Sequence, residues 1–257
     1  MKTIFVSMKQ LFLLVTVLFI ATVNFAQYSF IDLQKTNTKV AGVFKAKEDT
    51  LRKQFATAQL QWPPKQLYIR SFKYDSQLEV WVRNSSKEAF KLFKTYKICA
   101  LSGALGPKRI EGDYQVPEGF YSINLFNPKS TYHLSLGLNY PNESDAMLSD
   151  SAKPGGDIYI HGNCITVGCI PITDNQIEEL YILASYAKNA GQDFIPVHIF
   201  PIRFNNAKSV EYYDKTTKDN NSYHKFTATI KQVFDYFEHN KKLPLISVNE
   251  KGEYVIL

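Results

Sequence analysis

Apolar residues recur at three- and four-residue spacing through Val40, Val43, Phe44, Leu51 and Phe55, with Lys47 alone off the pattern. That spacing lays a stripe along one side of a helix, and Pro63-Pro64 closes the region. The period then changes to two. Leu67-Tyr-Ile-Arg70, Leu78-Glu-Val-Trp-Val82 and Phe90 to Leu101 are rich in β-branched and aromatic side chains, and the polar stretch Lys73 to Ser76 predicts a hairpin between the first two. Gly103, Gly106-Pro107, Gly112-Asp113 and Pro117-Glu-Gly119 punctuate a loop-rich stretch ahead of the strand-like runs Phe120 to Leu125 and Tyr132 to Leu138. Tyr140 to Gly156 is polar and turn-rich, which predicts a long loop suited to a substrate rim.

Asp157-Ile-Tyr-Ile-His161 reads as a short buried strand that carries His161 to its end. Thr173 with Gln176 fits a capping box, Ile177, Leu180, Tyr181, Ala184 and Ala187 form the apolar face of the helix that follows, and Gly191 stands at its stop. Val197 to Ile202 is a further strand. Beyond it come a polar linker from Lys215 to Ser222, a helix bearing Phe226, Ile230, Val233, Phe234 and Phe237, and a terminal hairpin about Lys251-Gly252. The pattern predicts an α+β chain with a mostly-β unit at residues 66–203 and helices packed on it. An N-terminal helical segment at 27–65 precedes that unit, and an accessory helix-hairpin extension at 204–257 follows it.

The first 26 residues differ in kind. Lys2 and Lys9 precede an uncharged apolar run from Leu11 to Val23, and Asn24-Phe-Ala26 ends in a small residue before Gln27. This predicts a cleavable secretory signal, with the alternative of an uncleaved anchor weakened by the shortness of the run. The mature chain is then extracytoplasmic or periplasmic, with no stable membrane span. Cleavage removes two lysines and no acid, so the formal charge falls from +6 to +4. The basic residues are scattered rather than gathered into an aromatic-lined stripe, which leaves nucleic-acid binding without support. The 257 residues, 45% of them hydrophobic, suffice for one sizeable core. Three cysteines in an exported chain leave at least one thiol unpaired.

The stretch Ile158-Tyr-Ile-His161-Gly-Asn-Cys164-Ile-Thr166-Val-Gly168-Cys169-Ile-Pro171 carries the candidate chemistry. A thiol attacks carbonyls as thiolate, and an imidazole beside it can take the proton. His161 at a strand end and Cys169 after a glycine turn meet that requirement in sequence. Gly168 lets the backbone approach a substrate closely, and the amides of Gly168 and Cys169 are candidate donors to an oxyanion. By alternation Tyr159 shares the face of His161 and can line the pocket. His198, in an apolar strand pattern, reads as a core histidine. Cys99 and Cys164 read either as core thiols or as a bridge, since sequence does not place their Cα atoms. A zinc site built from His161, Cys164 and Cys169 matches no common spacing and lacks a fourth ligand. A papain-like protease would place its cysteine long before its histidine, the reverse of the order here.

This stretch resembles the signature of the L,D-transpeptidase catalytic domain of the YkuD type, in which His-Gly precedes Ser-x-Gly-Cys. The short spacing matches the compact YafK-like murein L,D-transpeptidases. The likeness spans roughly residues 66–203 and includes Gly103-Ala-Leu-Gly-Pro-Lys108, Glu111-Gly-Asp113, Pro117-Glu-Gly-Phe-Tyr121, Asn127-Pro-Lys-Ser130, Asn139-Tyr-Pro-Asn142 and Pro196-Val-His-Ile-Phe-Pro201. Thr166 replaces the usual serine, Val167 stands where many members carry histidine, and Pro171 where many carry arginine. The resemblance implies a Cys169 nucleophile and a His161 base, with Gly168 in the oxyanion hole and Tyr159, Gly162, Thr166 and Val167 around the substrate. Lys108, in a loop with Arg109, is the candidate to meet stem carboxylates. The implied reaction forms a thioester on a peptidoglycan stem peptide, which an amine or water resolves. A lysine of a wall-linked protein is the alternative partner, and no metal or organic cofactor is implied. Hydrolysis of a stem amide is the second reading, and a non-catalytic wall-binding module the third.

Overall fold

A computed structural model describes residues 28–149 and 153–257. The predicted secretory signal lies outside the described residues. The hairpin forms as the alternation requires: β1 (Gln66–Phe72) runs antiparallel to β2 (Gln77–Arg83), from Gln66 opposite Arg83 to Phe72 opposite Gln77, and β3 (Lys91–Lys97) adds to β2. Then come β4 (Gly119–Asn127), β5 (Ser135–Leu138), β6 (Tyr159–His161) and β7 (Ile170–Pro171), while β8 (Ile195–Phe200) enters the middle, parallel to β1 and antiparallel to β4. The resulting eight-stranded sheet has the order β3-β2-β1-β8-β4-β5-β6-β7.

Both faces of this sheet are covered, which is why β1 is buried at every position after Gln66. Alternation sends Leu67 and Ile69 to one side. There they meet α1 (Phe30–Lys35), α2 (Thr38–Thr57) and α4 (Asp174–Asn189) through Val40, Phe44, Leu51, Phe55, Leu180 and Leu183. Tyr68, Arg70 and Phe72 point the other way, toward α6 (Asn221–Asn240) and the hairpin of β9 (Ile246–Val248) and β10 (Tyr254–Ile256). Phe72, Phe200, Phe234 and Phe237 are each buried to within a few percent of completely. At roughly 2 kcal/mol per buried phenylalanine, these contacts fix the C-terminal extension as the second cover of the sheet. Arg70, 1% exposed, joins it further by pairing with Glu79 at 2.7 Å and with Glu238 of α6 at 2.7 Å.

The structure departs from the sequence pattern in three helices. The six residues of α1 were too few to show a period, although Ser29 and Asp32 form a capping box at its start. α3 (Glu143–Leu148) interrupts the predicted 140–156 loop; Asn142 caps it by accepting from the Asp145 amide at 2.9 Å. α5 (Ala207–Thr217) takes up the first part of the predicted linker, so the true connection to α6 is three residues, 218–220. Among the described residues no helix is long and apolar enough to cross a membrane.

Candidate active site

His161 ends β6, and Ile160 lies opposite Ile170 in the parallel β6–β7 pair. Ile160 and Ile170 are both buried against the core. Because side chains alternate along a strand, Tyr159, His161 and Cys169 project from the opposite face. In this register His161 stands beside Pro171 and Cys169 falls beside Tyr159, which sets the imidazole and the thiol on one face of neighbouring strands.

The imidazole is held in one tautomer. His161 Nδ1 lies 2.5 Å from the Gly162 carbonyl, which can only accept, so Nδ1 carries the hydrogen and Nε2 presents its lone pair. The Tyr132 ring packs against it with centroids 4.7 Å apart. Burial lowers the His161 pKa, and the Gly162 bond partly restores it. Cys169 is the one free cysteine, and its thiol donates to the Asp157 carbonyl at 3.5 Å. Burial pushes this thiol up, the Tyr159 amide pulls it back, the Asp157 charge raises it, and the Lys108 charge lowers it. The dominant cause is the same for both groups and disfavours both charges. Both shifts favour the uncharged thiol and the uncharged imidazole.

Gly168 has φ +138°, a conformation essentially confined to glycine, and an added Cβ would lie 3.2 Å from the Gln115 carbonyl. Its amide donates to Thr166 Oγ1 at 3.1 Å, and the same hydroxyl donates to the Cys169 carbonyl at 2.8 Å. This corrects the expectation of two oxyanion donors. The Gly168 amide is already engaged, while the Cys169 amide has no hydrogen-bond partner among the described residues. Thr166 accordingly holds the turn together. Val167 projects from the turn and is 65% exposed. Gly162 is buried beneath the site, where an added Cβ would meet Asp174 Oδ1 at 2.5 Å, and Asp174 also accepts from the Asn163 amide at 2.8 Å.

Lys108 is a second correction. Rather than reaching outward toward a carboxylate, it is only 4% exposed, and its Nζ donates to the Ile110 carbonyl and to Asp113 at 2.8 and 2.5 Å. Its charge is matched within its own loop. Arg109 is likewise held, by Asp145 at 2.6 Å. His198 is buried in β8 and meets the Tyr68 hydroxyl at 2.9 Å, where burial drops its pKa to about 3, as a core histidine requires.

Two further features shape the site, the first of them deciding between the two readings of Cys99 and Cys164. Cys99 and Cys164 form a disulfide with Cα atoms 5.4 Å apart, and the Cys99 amide also donates to the Pro171 carbonyl at 3.1 Å. The turn between His161 and Cys169 is thereby tied to the end of β3, and Cys164 is removed from the zinc alternative. Beneath the 103–118 loop, Lys73 donates to the carbonyls of Ala104, Gly106 and Val116 at 2.8 to 3.0 Å and pairs with the fully buried Glu118 at 2.9 Å. That loop carries Gln115 to its place against Gly168. Among the described residues no group of three or more His, Cys, Asp or Glu is placed to hold a metal.

The L,D-transpeptidase catalytic domain family model of the YkuD type matches residues 73–199. The Escherichia coli K12 protein "Putative L,D-transpeptidase YafK" is 34% identical over 192 residues, covering 74% of this chain and 73% of that protein. Among solved structures, the helical cell shape determining protein Pgp2 from Campylobacter jejuni aligns over 78% of this chain and 81% of its own, at 20% identity and TM-score 0.42. Bdellovibrio bacteriovorus Bd1075 aligns over 69% and 61%, at 23% identity and TM-score 0.39. Those two superpositions are too loose to bear on the assignment, which rests on the family model and the E. coli relative. On that ground this chain belongs to the L,D-transpeptidase family of the YkuD type.

Proposed function

We propose that the protein is an exported L,D-transpeptidase that acts on peptidoglycan stem peptides, with Cys169 as nucleophile and His161 as base. The observation that carries this reading is the fixed His161 tautomer, whose Nε2 is left to accept a proton on the face shared with the free thiol. As the thiol attacks the carbonyl of the third stem residue, its proton passes to Nε2. The tetrahedral oxyanion takes a hydrogen bond from the Cys169 amide. Collapse breaks the amide to the fourth residue, and the proton returns from His161 to the leaving amine. A thioester remains. An acceptor amine then displaces the thiol to make a cross-link, or water does so and releases the acid.

The mature chain incubated with tetrapeptide muropeptides and examined by mass spectrometry tests the proposal. Cross-linked dimers and loss of the terminal residue are expected, both abolished in Cys169→Ala. A second reading keeps the same nucleophile in an amidase that cleaves a stem amide, for example one joined to a lysine of a wall-linked protein. It draws support from the short turn between His161 and Cys169. Release of a lysine peptide from such a stem with no dimer formation would favour it over transfer.

A further inference from the structure

A cavity of about 360 Å³ has Asn124, Leu125, Gly137, Tyr140, Asp157 and Tyr159 among its walls. Asp157 links it to the reaction centre, since the carbonyl of this residue accepts from the Cys169 thiol at 3.5 Å. The side chain of the same residue is exposed, and its Oδ1 accepts from the Tyr159 hydroxyl at 3.2 Å. Among the described residues no Lys, Arg or His lies in ion-pair range of that carboxylate; the nearby Lys108 is taken up by Asp113.

Two backbone features hold this arrangement. Asp157 sits at φ +56°, in the left-handed region that aspartate tolerates better than most residues. Tyr159 lies opposite Gly137 in the β5–β6 register, and a Cβ at Gly137 would be 3.1 Å from the Tyr159 ring. The glycine therefore lets the ring lie on the sheet with its hydroxyl toward Asp157.

An unpaired carboxylate beside a nucleophilic thiol works against thiolate formation, and the Asp157 charge does raise the Cys169 pKa. A cation docked on it would neutralise that effect at the moment of binding. A substrate ammonium would be such a cation. We propose that the Asp157 carboxylate, oriented by the Tyr159 phenol, is the subsite for a primary ammonium group carried by the substrate. The inference rests on Cys169 being the nucleophile and specifies what the cavity beside it recognises.

An ammonium has two sources in this chemistry: the side chain of a diamino acid in the donor stem, or the acceptor amine of the second half-reaction. An acceptor must first lose a proton; its nitrogen then bonds to the thioester carbonyl as the C–S bond breaks, and the released thiolate takes up a proton. The subsite would gather it in the charged form before that step.

Binding to the Cys169→Ala protein tests the proposal without turnover. Tetrapeptide muropeptides with a free or N-acetylated side-chain amine, and lysine amide with its N-acetyl counterpart, are titrated against Cys169→Ala and against Cys169→Ala/Asp157→Asn. A free-to-acetylated affinity ratio of about tenfold is expected in the first protein, the size of one favourable charge-assisted contact, and a ratio near one in the second. If the ratio appears with the muropeptide, the donor supplies the ammonium; if with lysine amide, the acceptor does. Ratios that are equal in the two proteins for both ligand pairs would overturn the proposal and leave Asp157 a solvated rim charge. The nucleophile is judged separately: turnover surviving in Cys169→Ala would sink that reading whatever the titrations show.

Discussion

Replacing Glu118 by glutamine keeps the shape of the side chain and removes its charge. Glu118 is fully buried, pairs with Lys73 at 2.9 Å, and accepts from the Gly106 amide and the Tyr223 hydroxyl, both at 2.8 Å. Burial already pushes the Lys73 pKa below 10.5, and Glu118 is the main influence holding it up. Without that partner, Lys73 gives up its proton rather than remain an unpaired buried cation. The cost of doing so has a ceiling of about 1.4 kcal/mol for each pH unit between the assay and the ordinary lysine value, or about 4 kcal/mol at pH 7.5. The neutral amine still donates to loop carbonyls, so a loss of about 3 kcal/mol is expected, a large share of a typical domain's 5 to 15 kcal/mol.

The pH dependence supplies the sharper test of this prediction. In the variant the unfolded chain holds one more proton on Lys73 than the folded chain does, so stability relative to the parent rises with pH, by up to about 1.4 kcal/mol per unit. Urea denaturation at pH 7.5 and pH 9, followed by tryptophan fluorescence, should show the deficit shrinking by about 2 kcal/mol. A deficit below about 1 kcal/mol at pH 7.5, or one that does not change at pH 9, would refute the reasoning. Because the same loop seats Gln115 under Gly168, turnover should also fall in the variant.

Three other outcomes follow from the site. Gly168→Ala should cost about 1 to 3 kcal/mol from its φ of +138°, or else shift Cys169 and slow turnover; an unchanged melting temperature with unchanged turnover would contradict the geometry. Cys169 should alkylate slowly with iodoacetamide at pH 7 and gain reactivity only above the ordinary thiol range, because burial raises the thiol and lowers His161; a fast, flat profile near neutrality would indicate a resting ion pair instead. Thiol titration of the unfolded, unreduced mature chain should count one thiol, and three after reduction, if the Cys99–Cys164 bond is present throughout the population.

Much of the frame was legible because long periodic segments declare themselves. The stripe from Val40 to Phe55 became α2, and the alternation about Lys73 to Ser76 became the β1–β2 hairpin. α5 is not legible because its buried positions include the polar Ser209 and Thr217, and because its aromatic contacts, Tyr213 with Tyr223 and Tyr212 with Tyr74, lie outside the helix. At the site, the spacing of His161 and Cys169 was readable, as was Gly168 as a turn residue. Hydrogen-bond direction was not: nothing in the sequence says that Thr166 would occupy the Gly168 amide. The setting of Lys108 is hidden for a related reason, since a basic residue in a loop looks solvated until Asp113 and Ile110 close around it. Asp157 reads only as the first residue of a strand, because its neighbours in space, Cys169 and Tyr159, are set by the pairing of β6 with β7 and β5.

Three cysteines allow three single bridges, and only one of them leaves Cys169 free. Cys164 and Cys169 are five residues apart, whereas Cys99 and Cys164 are separated by 65. In an unfolded chain, loop closure favours the shorter contact by roughly 2 kcal/mol, so oxidation ahead of folding would tend to consume Cys169. The native choice depends on β3 and β7 meeting first, so that the Cys99 amide at the Pro171 carbonyl brings the distant partner into range. The fraction of newly made protein that keeps Cys169 free is therefore set by a race between strand pairing and oxidant, and thiol exchange can return the losers of that race to the native pairing.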